Sequence, residues 1–277
     1  MQGQPSRTAK RAALYRAAHQ VVDGGSVFAD PFALPIVGQT AEDFPRDAWD
    51  KPGDRLMRLF VAARSRFAED CAAAAVKRGV RQIVVLGAGL DTFGLRNPHV
   101  KEGVEVFEVD YPMTQAWKRA SIAKAGIAMP EWLHFVATDF GREGLAPRLA
   151  ASGVDVAQPA FFMWLGVVVY LTKQAIRATL STIARVPGGE VVFDYGEPPE
   201  ALSAERRAGV AARMARVAML GEPWLSFFAP TELDADLRQM GFSEIEDLGT
   251  TEIAKRYFGE TVPSERAGAH LIHARRG

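Results

Sequence analysis

The sequence predicts an α/β protein: a doubly wound, mostly parallel seven-stranded sheet with an N-terminal helical lid. Three observations carry this. The apolar run Ile83-Val84-Val85-Leu86 stops at Gly87-Ala88-Gly89. Such a run suits a strand buried on both faces of a parallel sheet, and the glycines permit a tight turn that a ligand can approach closely. The next apolar run, 104–110, ends in Asp110, 21 residues past Gly89, near the spacing at which a carboxylate meets ribose hydroxyls. From residue 81 onward, strand-like runs alternate with helical stretches, the pattern of parallel strands joined by helical crossovers. The expected organisation is a helical lid over residues 1–80 and a core over 81–277, forming one structural unit.

Residues 6–22 carry Ala12, Ala13, Tyr15, Ala18, His19 and Val22 at roughly helical spacing. Ser6 or Thr8 is placed to cap this helix, and Asp23-Gly24-Gly25 ends it. Asp30-Pro31 predicts a second short helix, since proline is favoured in the first turn. Residues 39–53, with Pro45, Pro52 and Gly53, predict a mobile connection. Residues 54–78 predict a long helix with Leu56, Leu59, Phe60, Ala63, Phe67, Ala68 and Cys71 on one side. Arg64 and Arg66 interrupt that side, and spacing alone assigns both to a solvated face.

Past the glycine turn, a helix is expected to start at Leu90-Asp91-Thr92, with Asp91 or Thr92 as cap. Tyr111-Pro112 opens a helix reaching about residue 125, and 132–138 reads as the third strand. Asp139, at its exit, either accepts from an adenine amine or caps the next helix. Residues 159–170 read as the fourth strand and its exit, followed by a helix at 173–184 capped by Thr172. A fifth strand at 190–195 breaks at Gly196-Glu197-Pro198-Pro199. Residues 200–220 read as a helix in which Met214 and Met219 serve as core or as a pliable pocket wall. An aromatic loop at 223–228, a helix at 230–240 and two strands at 242–247 and 269–275 complete the chain.

Composition narrows the function. Lys plus Arg and Asp plus Glu both number 33 in 277 residues. That balance argues against a nucleic-acid or anionic-membrane binder, which carries a basic excess. No apolar run is long enough for a transmembrane helix, and the N-terminus lacks the uninterrupted apolar core of a signal peptide. Cys71 is the one cysteine, and the five histidines show no zinc spacing, so neither a disulfide nor a metal is expected. These features predict a cytoplasmic protein, with its oligomeric state left open.

Thr92 stands where a dinucleotide fingerprint has its third glycine. That glycine serves close helix–strand packing under a pyrophosphate. Its absence favours a cofactor with a ribose but no pyrophosphate, of which S-adenosyl-L-methionine is the commonest.

The chain resembles the leucine carboxyl methyltransferase family, in its broader bacterial branch of S-adenosylmethionine-dependent O-methyltransferases. The matching pieces are Ser6-Arg7-Thr8-Ala9, Asp30-Pro31, Ala63-Arg64-Ser65-Arg66, the block from Val85 to Thr92, the block from Glu108 to Met113, Asp139, and Val169-Tyr170-Leu171-Thr172. The resemblance implies a class I methyltransferase, Rossmann-like fold, with S-adenosyl-L-methionine as cofactor and S-adenosyl-L-homocysteine as product. It implies that Arg64, against its spacing, holds the cofactor carboxylate, a pairing that suits the guanidinium fork. Gly87, Ala88 and Gly89 line the methionine and ribose portion, and Asp110 takes the ribose hydroxyls. Tyr111 packs on adenine, Asp139 and Phe140 meet its edge, and Arg7 and Thr8 close over the cofactor. Many members carry a glutamate where this chain has Leu165, so a carboxylate near the cofactor amine is missing; the Leu165 carbonyl remains as an acceptor. Methylation of a cellular phosphatase is not expected of a chain without the long family insertions.

The expected reaction is O-methylation of a carboxylate or hydroxyl on a small hydrophobic or aromatic molecule, within walls formed by Trp164, Tyr170, Trp224, Phe227 and Phe228. Neither nucleic acid nor membrane is an expected partner. Asp194 and Tyr170 are the base candidates, although groups at strand ends more often serve structural hydrogen bonds. Two rivals stand beside this reading. An NAD-dependent oxidoreductase is disfavoured by Thr92 and by the lack of a Tyr-x-x-x-Lys pair. A non-catalytic cofactor-binding protein of the same fold is the other, since fold alone does not give function.

Overall fold

The alternation beyond residue 81 forms one seven-stranded sheet. The strands are β1 (Gln82–Leu86), β2 (Glu105–Asp110), β3 (Leu133–Ala137), β4 (Ala160–Trp164), β5 (Glu190–Gly196), β6 (Glu244–Leu248) and β7 (Ala269–Arg275). They lie in the order β3-β2-β1-β4-β5-β7-β6. Pairing is parallel from β3 through β5, while β7 runs antiparallel to both β5 and β6. The computed structural model describes residues 6–138, 145–259 and 268–277.

The two-residue period of the strands divides the core. On one face Ile83, Val85, Val106, Phe161, Met163, Val192 and Leu271 pack with α2 (Pro52–Lys77), the single turn α3 (Phe93–Arg96), α4 (Pro112–Lys124) and α9 (Thr250–Phe258). On the other, Val84, Leu86, Phe107, Phe162, Trp164, Phe193 and Ile272 pack with α5 (Leu145–Ala151), α6 (Lys173–Ile183) and α8 (Pro230–Gln239). Each fully buried large apolar side chain stabilises by about 1.5–3 kcal/mol, so this double burial is what fixes the strand register. No helix among the described residues is long and apolar enough to cross a membrane.

The N-terminal segment departs from expectation in three ways, although its first helix forms as expected. Helix α1 (Arg7–Val22) forms with Ser6 as its cap, its hydroxyl accepting from the Ala9 N–H. Asp30-Pro31, however, opens a turn and not a helix; only a 3-10 turn at Pro35–Val37 follows. The expected mobile connection at 39–53 instead contains a 3-10 turn, Arg46–Trp49, whose Trp49 is buried with Phe44 and Tyr15. Helix α2 also faces differently: Leu56 is 67% exposed, whereas Arg58 and Arg64 are buried. Its second half, from Ala68 to Val76, packs against the sheet.

Further along, the helix after the glycine turn lasts one turn. Thr92 is the capping residue by position, while the Asp91 carboxylate accepts from the Phe93 N–H. Helix α7 (Ala204–Met219) buries only Val217, and Met219 is 81% exposed, so neither the core nor the pocket-wall role fits Met219. The sequence reading missed α9.

Buried charge ties these layers together. Asp30 has no exposed side-chain surface and pairs with Arg16 and Arg96; Arg96 also pairs with Glu69. Arg58 pairs with Asp23 and donates to the Trp49 carbonyl. Lys118 on α4 pairs with Glu108 on β2, both side chains 1% exposed. Burial pushes the Glu108 carboxyl up to about 7, against the opposing pull of Lys118. Removing one partner of such a pair costs about 3–5 kcal/mol, whereas an apolar replacement of both is often neutral. Glu108→Leu and Lys118→Met are each expected to lower the urea unfolding free energy by that amount, and the double variant by less than either alone.

His270 on β7 lies between Asp247 on β6 and Glu197. Burial opposes its charge, but the two carboxylates outweigh burial and raise its pKa above the ordinary 6.5. A raised pKa gives stability that is fully present below the unfolded value of 6.5 and is lost as pH rises through the folded value. Urea midpoints taken from about pH 5 to about pH 9 should therefore fall more in the wild type than in His270→Gln across that rise.

Candidate active site

In doubly wound sheets ligands sit outside the carboxyl ends of the strands, where the strand order reverses. Here the reversal falls between β1 and β4. Past β1, Gly87 and Gly89 take φ values of +66° and +49°. A Cβ on Gly87 would lie 2.5 Å from the Val167 side chain, and one on Gly89 would lie 3.0 Å from the Cβ of Ala9 in α1. The turn therefore needs glycine both for its left-handed backbone and for its close neighbours.

Asp110 ends β2 beside this turn. Its carboxylate accepts from the Gly89 N–H at 2.5 Å and the Tyr111 N–H at 2.6 Å. Burial raises its pKa, and those two N–H groups partly offset the rise. The turn's far side is clamped by the buried ion cluster: Thr92 donates to Asp30 at 2.7 Å, and Arg16 donates to the Leu90 carbonyl. The residue replacing the third fingerprint glycine is thus a hydrogen-bond donor to Asp30.

Arg64 is 8% exposed, so the solvated face that spacing assigned to it is wrong. Arg66, two residues on, is exposed and pairs with Asp70. Arg64 Nη1 donates to Asp194 Oδ2 at 3.0 Å, while its buried Nε has no partner among the described residues. Asp194 Oδ1 accepts from the Gly166 N–H at 2.5 Å. Gly166 has φ +70°, and a Cβ there would lie 2.7 Å from Arg64 Nη1. A strand-end carboxylate, a left-handed glycine and a buried guanidinium thus form one unit, and Val167 links that unit to Gly87.

A loop closes over these groups. The Leu225 N–H donates to the Val169 carbonyl at 2.7 Å, and the Ser226 hydroxyl donates to the Leu171 carbonyl. At the loop's start, Glu222 accepts from the Thr8 N–H of α1 at 3.0 Å. Trp224 and Phe227 meet edge to face at 6.2 Å, both half-buried. Burial raises the pKa of the Tyr170 hydroxyl.

Several expected roles change. Asp194 is unsuited to act as a base, because both its oxygens are engaged, one by a cation. Tyr170 is a poor base for a different reason: burial disfavours its phenolate. Trp164 and Phe228, expected as pocket walls, are 1% and 3% exposed and belong to the core beneath. Leu165 is half-buried against the opposite core cluster. His134 stacks on Phe107 and pairs with Glu105, away from these groups. Asp139 and Phe140 lie outside the described residues. Cys71, Glu246 and His273 bring ligand atoms within 4.8 Å of one another, a cluster invisible to linear spacing because it draws on three elements. Arg256 engages that glutamate and Glu190 the histidine. The sequence reading missed Glu222, Asp30 and Arg16; Asp30-Pro31 was the one signal available for them.

The strand order, the antiparallel seventh strand and the glycine turn facing an acid on β2 define a class I methyltransferase fold. The profile of the leucine carboxyl methyltransferase family matches residues 9–184, and the chain belongs to that family. A Bacillus subtilis protein, named by inference as an S-adenosyl-L-methionine-dependent methyltransferase, is 34% identical over 71% of this chain and 66% of its own length. A Mycolicibacterium gilvum protein named likewise is 30% identical over 62% of this chain and 60% of its own. The matches thus span somewhat under two thirds of these relatives' lengths. Among solved structures, a DUF574-family protein from Streptomyces avermitilis is similar in fold, with a TM-score of 0.56 and 18% identity over 96% of this chain and 97% of that one.

Gly166→Ala tests the unit around Arg64. The left-handed backbone alone should cost about 1–2 kcal/mol, and displacement of Arg64 should add to that. A urea midpoint unchanged in this variant would contradict the geometry.

Proposed function

We propose that the protein transfers a methyl group from S-adenosyl-L-methionine to a carboxylate of a small hydrophobic or aromatic molecule. The observation that carries this is the buried Nε of Arg64, without a partner among the described residues and held in place by Asp194 and Gly166 beside the glycine turn. A buried donor without a partner is costly, and a carboxylate is the acceptor that best suits a guanidinium. The cofactor's carboxylate fits that donor, and its ribose hydroxyls fit Asp110 with Gly87 and Gly89 alongside. Tyr111 packs near the adenine. The relatives' names agree with this choice of cofactor.

When bound, the cofactor supplies an activated methyl group on a sulfonium. The chain's own work is then to position the acceptor and exclude water. Tyr170, Trp224 and Phe227 form the apolar wall, and Thr8 with α1 covers the site from the N-terminal side. Neither base candidate is suited to deprotonation, which favours an acceptor already ionised at neutral pH. A carboxylate meets that condition and a phenol does not.

S-adenosylhomocysteine should raise the melting temperature of the wild type, as any ligand specific for the native state does. Gly89→Val should abolish the shift. Arg64→Ala should weaken binding of S-adenosylhomocysteine by about 2–4 kcal/mol, with Arg64→Lys recovering only part. Arg66→Ala, on the exposed face, should stay within about 0.5 kcal/mol of wild type. Calorimetric affinities for these variants check the cofactor assignment. Release of S-adenosylhomocysteine from a panel of aromatic acids, set against matched phenols, checks the acceptor; turnover confined to phenols would refute a carboxylate.

A further inference from the structure

Glu222 is 9% exposed, and its hydrogen-bond partner among the described residues is a backbone amide, the Thr8 N–H at 3.0 Å. No described residue forms an ion pair with it. Three other buried carboxylates, Asp30, Glu108 and Glu190, each face an arginine or a lysine, and Asp110 has two N–H donors where Glu222 has one. A carboxylate withdrawn from water without a cation is costly, and one N–H, even at the positive end of a helix, compensates only part of that cost.

Its location suggests the missing cation. Thr8, which Glu222 holds, adjoins Ala9, and Ala9 lies against Gly89; Arg64 lies against Gly166, whose neighbour Val167 lies against Gly87, so the negative group and the positive group flank one glycine turn. Arg64 comes from helix α2 and Glu222 from the closing loop, and each has capacity to spare: an unpartnered Nε on one, an uncompensated charge on the other. The amino-acid end of S-adenosylmethionine is a zwitterion, one carboxylate and one ammonium on the same carbon. An arginine and a glutamate held apart in a nearly dry site are complementary to it.

We infer that Glu222 pairs with the cofactor's ammonium, taking from the closing loop the part that Leu165 cannot play at the end of β4. This rests on the reading that S-adenosylmethionine binds beside Arg64. Closure of the loop and binding of the amino-acid end then become one event, since the same side chain that meets the ammonium also holds the start of α1 through Thr8.

The test uses the 277-residue chain, with S-adenosylhomocysteine and its analogue lacking the α-amino group as probes in titration calorimetry. Wild type should bind the analogue at least tenfold more weakly. In Glu222→Gln, whose amide oxygen can still accept from Thr8, affinity for S-adenosylhomocysteine should fall about tenfold and affinity for the analogue should change less than twofold. The ligand-free melting temperature of Glu222→Gln should equal or exceed that of wild type, because a lone buried charge has been removed. A variant that melts lower yet still distinguishes the two probes tenfold would make Glu222 a cap for α1 and overturn the inference. A wild type that binds S-adenosylhomocysteine but does not discriminate would overturn it too. A wild type that binds neither probe would defeat the cofactor assignment itself.

Discussion

The buried carboxylate of Asp30 is the constraint on which the ligand-facing end of this molecule depends. It lies in the turn after α1 with no exposed side-chain surface, and it meets Arg16, Thr92 and Arg96 together with the Phe32 N–H. Each of those groups belongs to a different local structure: helix α1, the loop past the glycine turn, the single turn α3, and the Asp30 turn itself. A buried charge tolerates little rearrangement, because a displaced partner leaves it uncompensated at a cost of several kcal/mol. The cluster therefore sets the register of the N-terminal helices against the glycine turn. It also allows Ala9 to approach Gly89 so closely, with Arg16 held to the Leu90 carbonyl on the same helix.

A second fixed unit joins Arg64, Asp194 and Gly166, and Val167 connects it to Gly87. The two differ in how far they are satisfied. The Asp30 cluster is closed, with donors and acceptors matched. The Arg64 unit retains a buried donor, and the neighbouring loop brings Glu222, a carboxylate with no counter-ion among the described residues. Satisfied groups hold the backbone; unsatisfied groups sit where a ligand is proposed.

The sheet was legible because its strands are written as continuous apolar runs, a signal that tertiary context reinforces. Gly87, Gly89 and Asp110 were legible because local sequence fixes them at strand ends. Arg64 was not. Helical spacing assigned it to solvent, and only resemblance to a family placed it inside; its partner Asp194 lies 130 residues away, beyond any periodic signal. Glu222 escaped for the same reason, its contact with Thr8 spanning 214 residues. Trp164 and Phe228 were misread because an aromatic cluster looks alike in sequence whether it lines a pocket or fills a core. Asp30-Pro31 read as a helix start because proline suits that position, yet the aspartate was committed to an ion cluster formed by residues far along the chain.

Strand β7 has a consequence for how the chain is made. It follows the other described strands in sequence, yet lies inside the sheet between β5 and β6, and β6 pairs with no other described strand. During synthesis the earlier strands emerge first and can assemble from β3 to β5, while β6 leaves the ribosome with nothing to pair with. Until β7 arrives, the apolar β5 presents an open edge of unpaired amides and carbonyls, the kind of surface that recruits strands from other chains. The nascent protein thus passes through an interval of exposure whose length is set by the time needed to translate residues 197–275, and the arrival of β7 ends it.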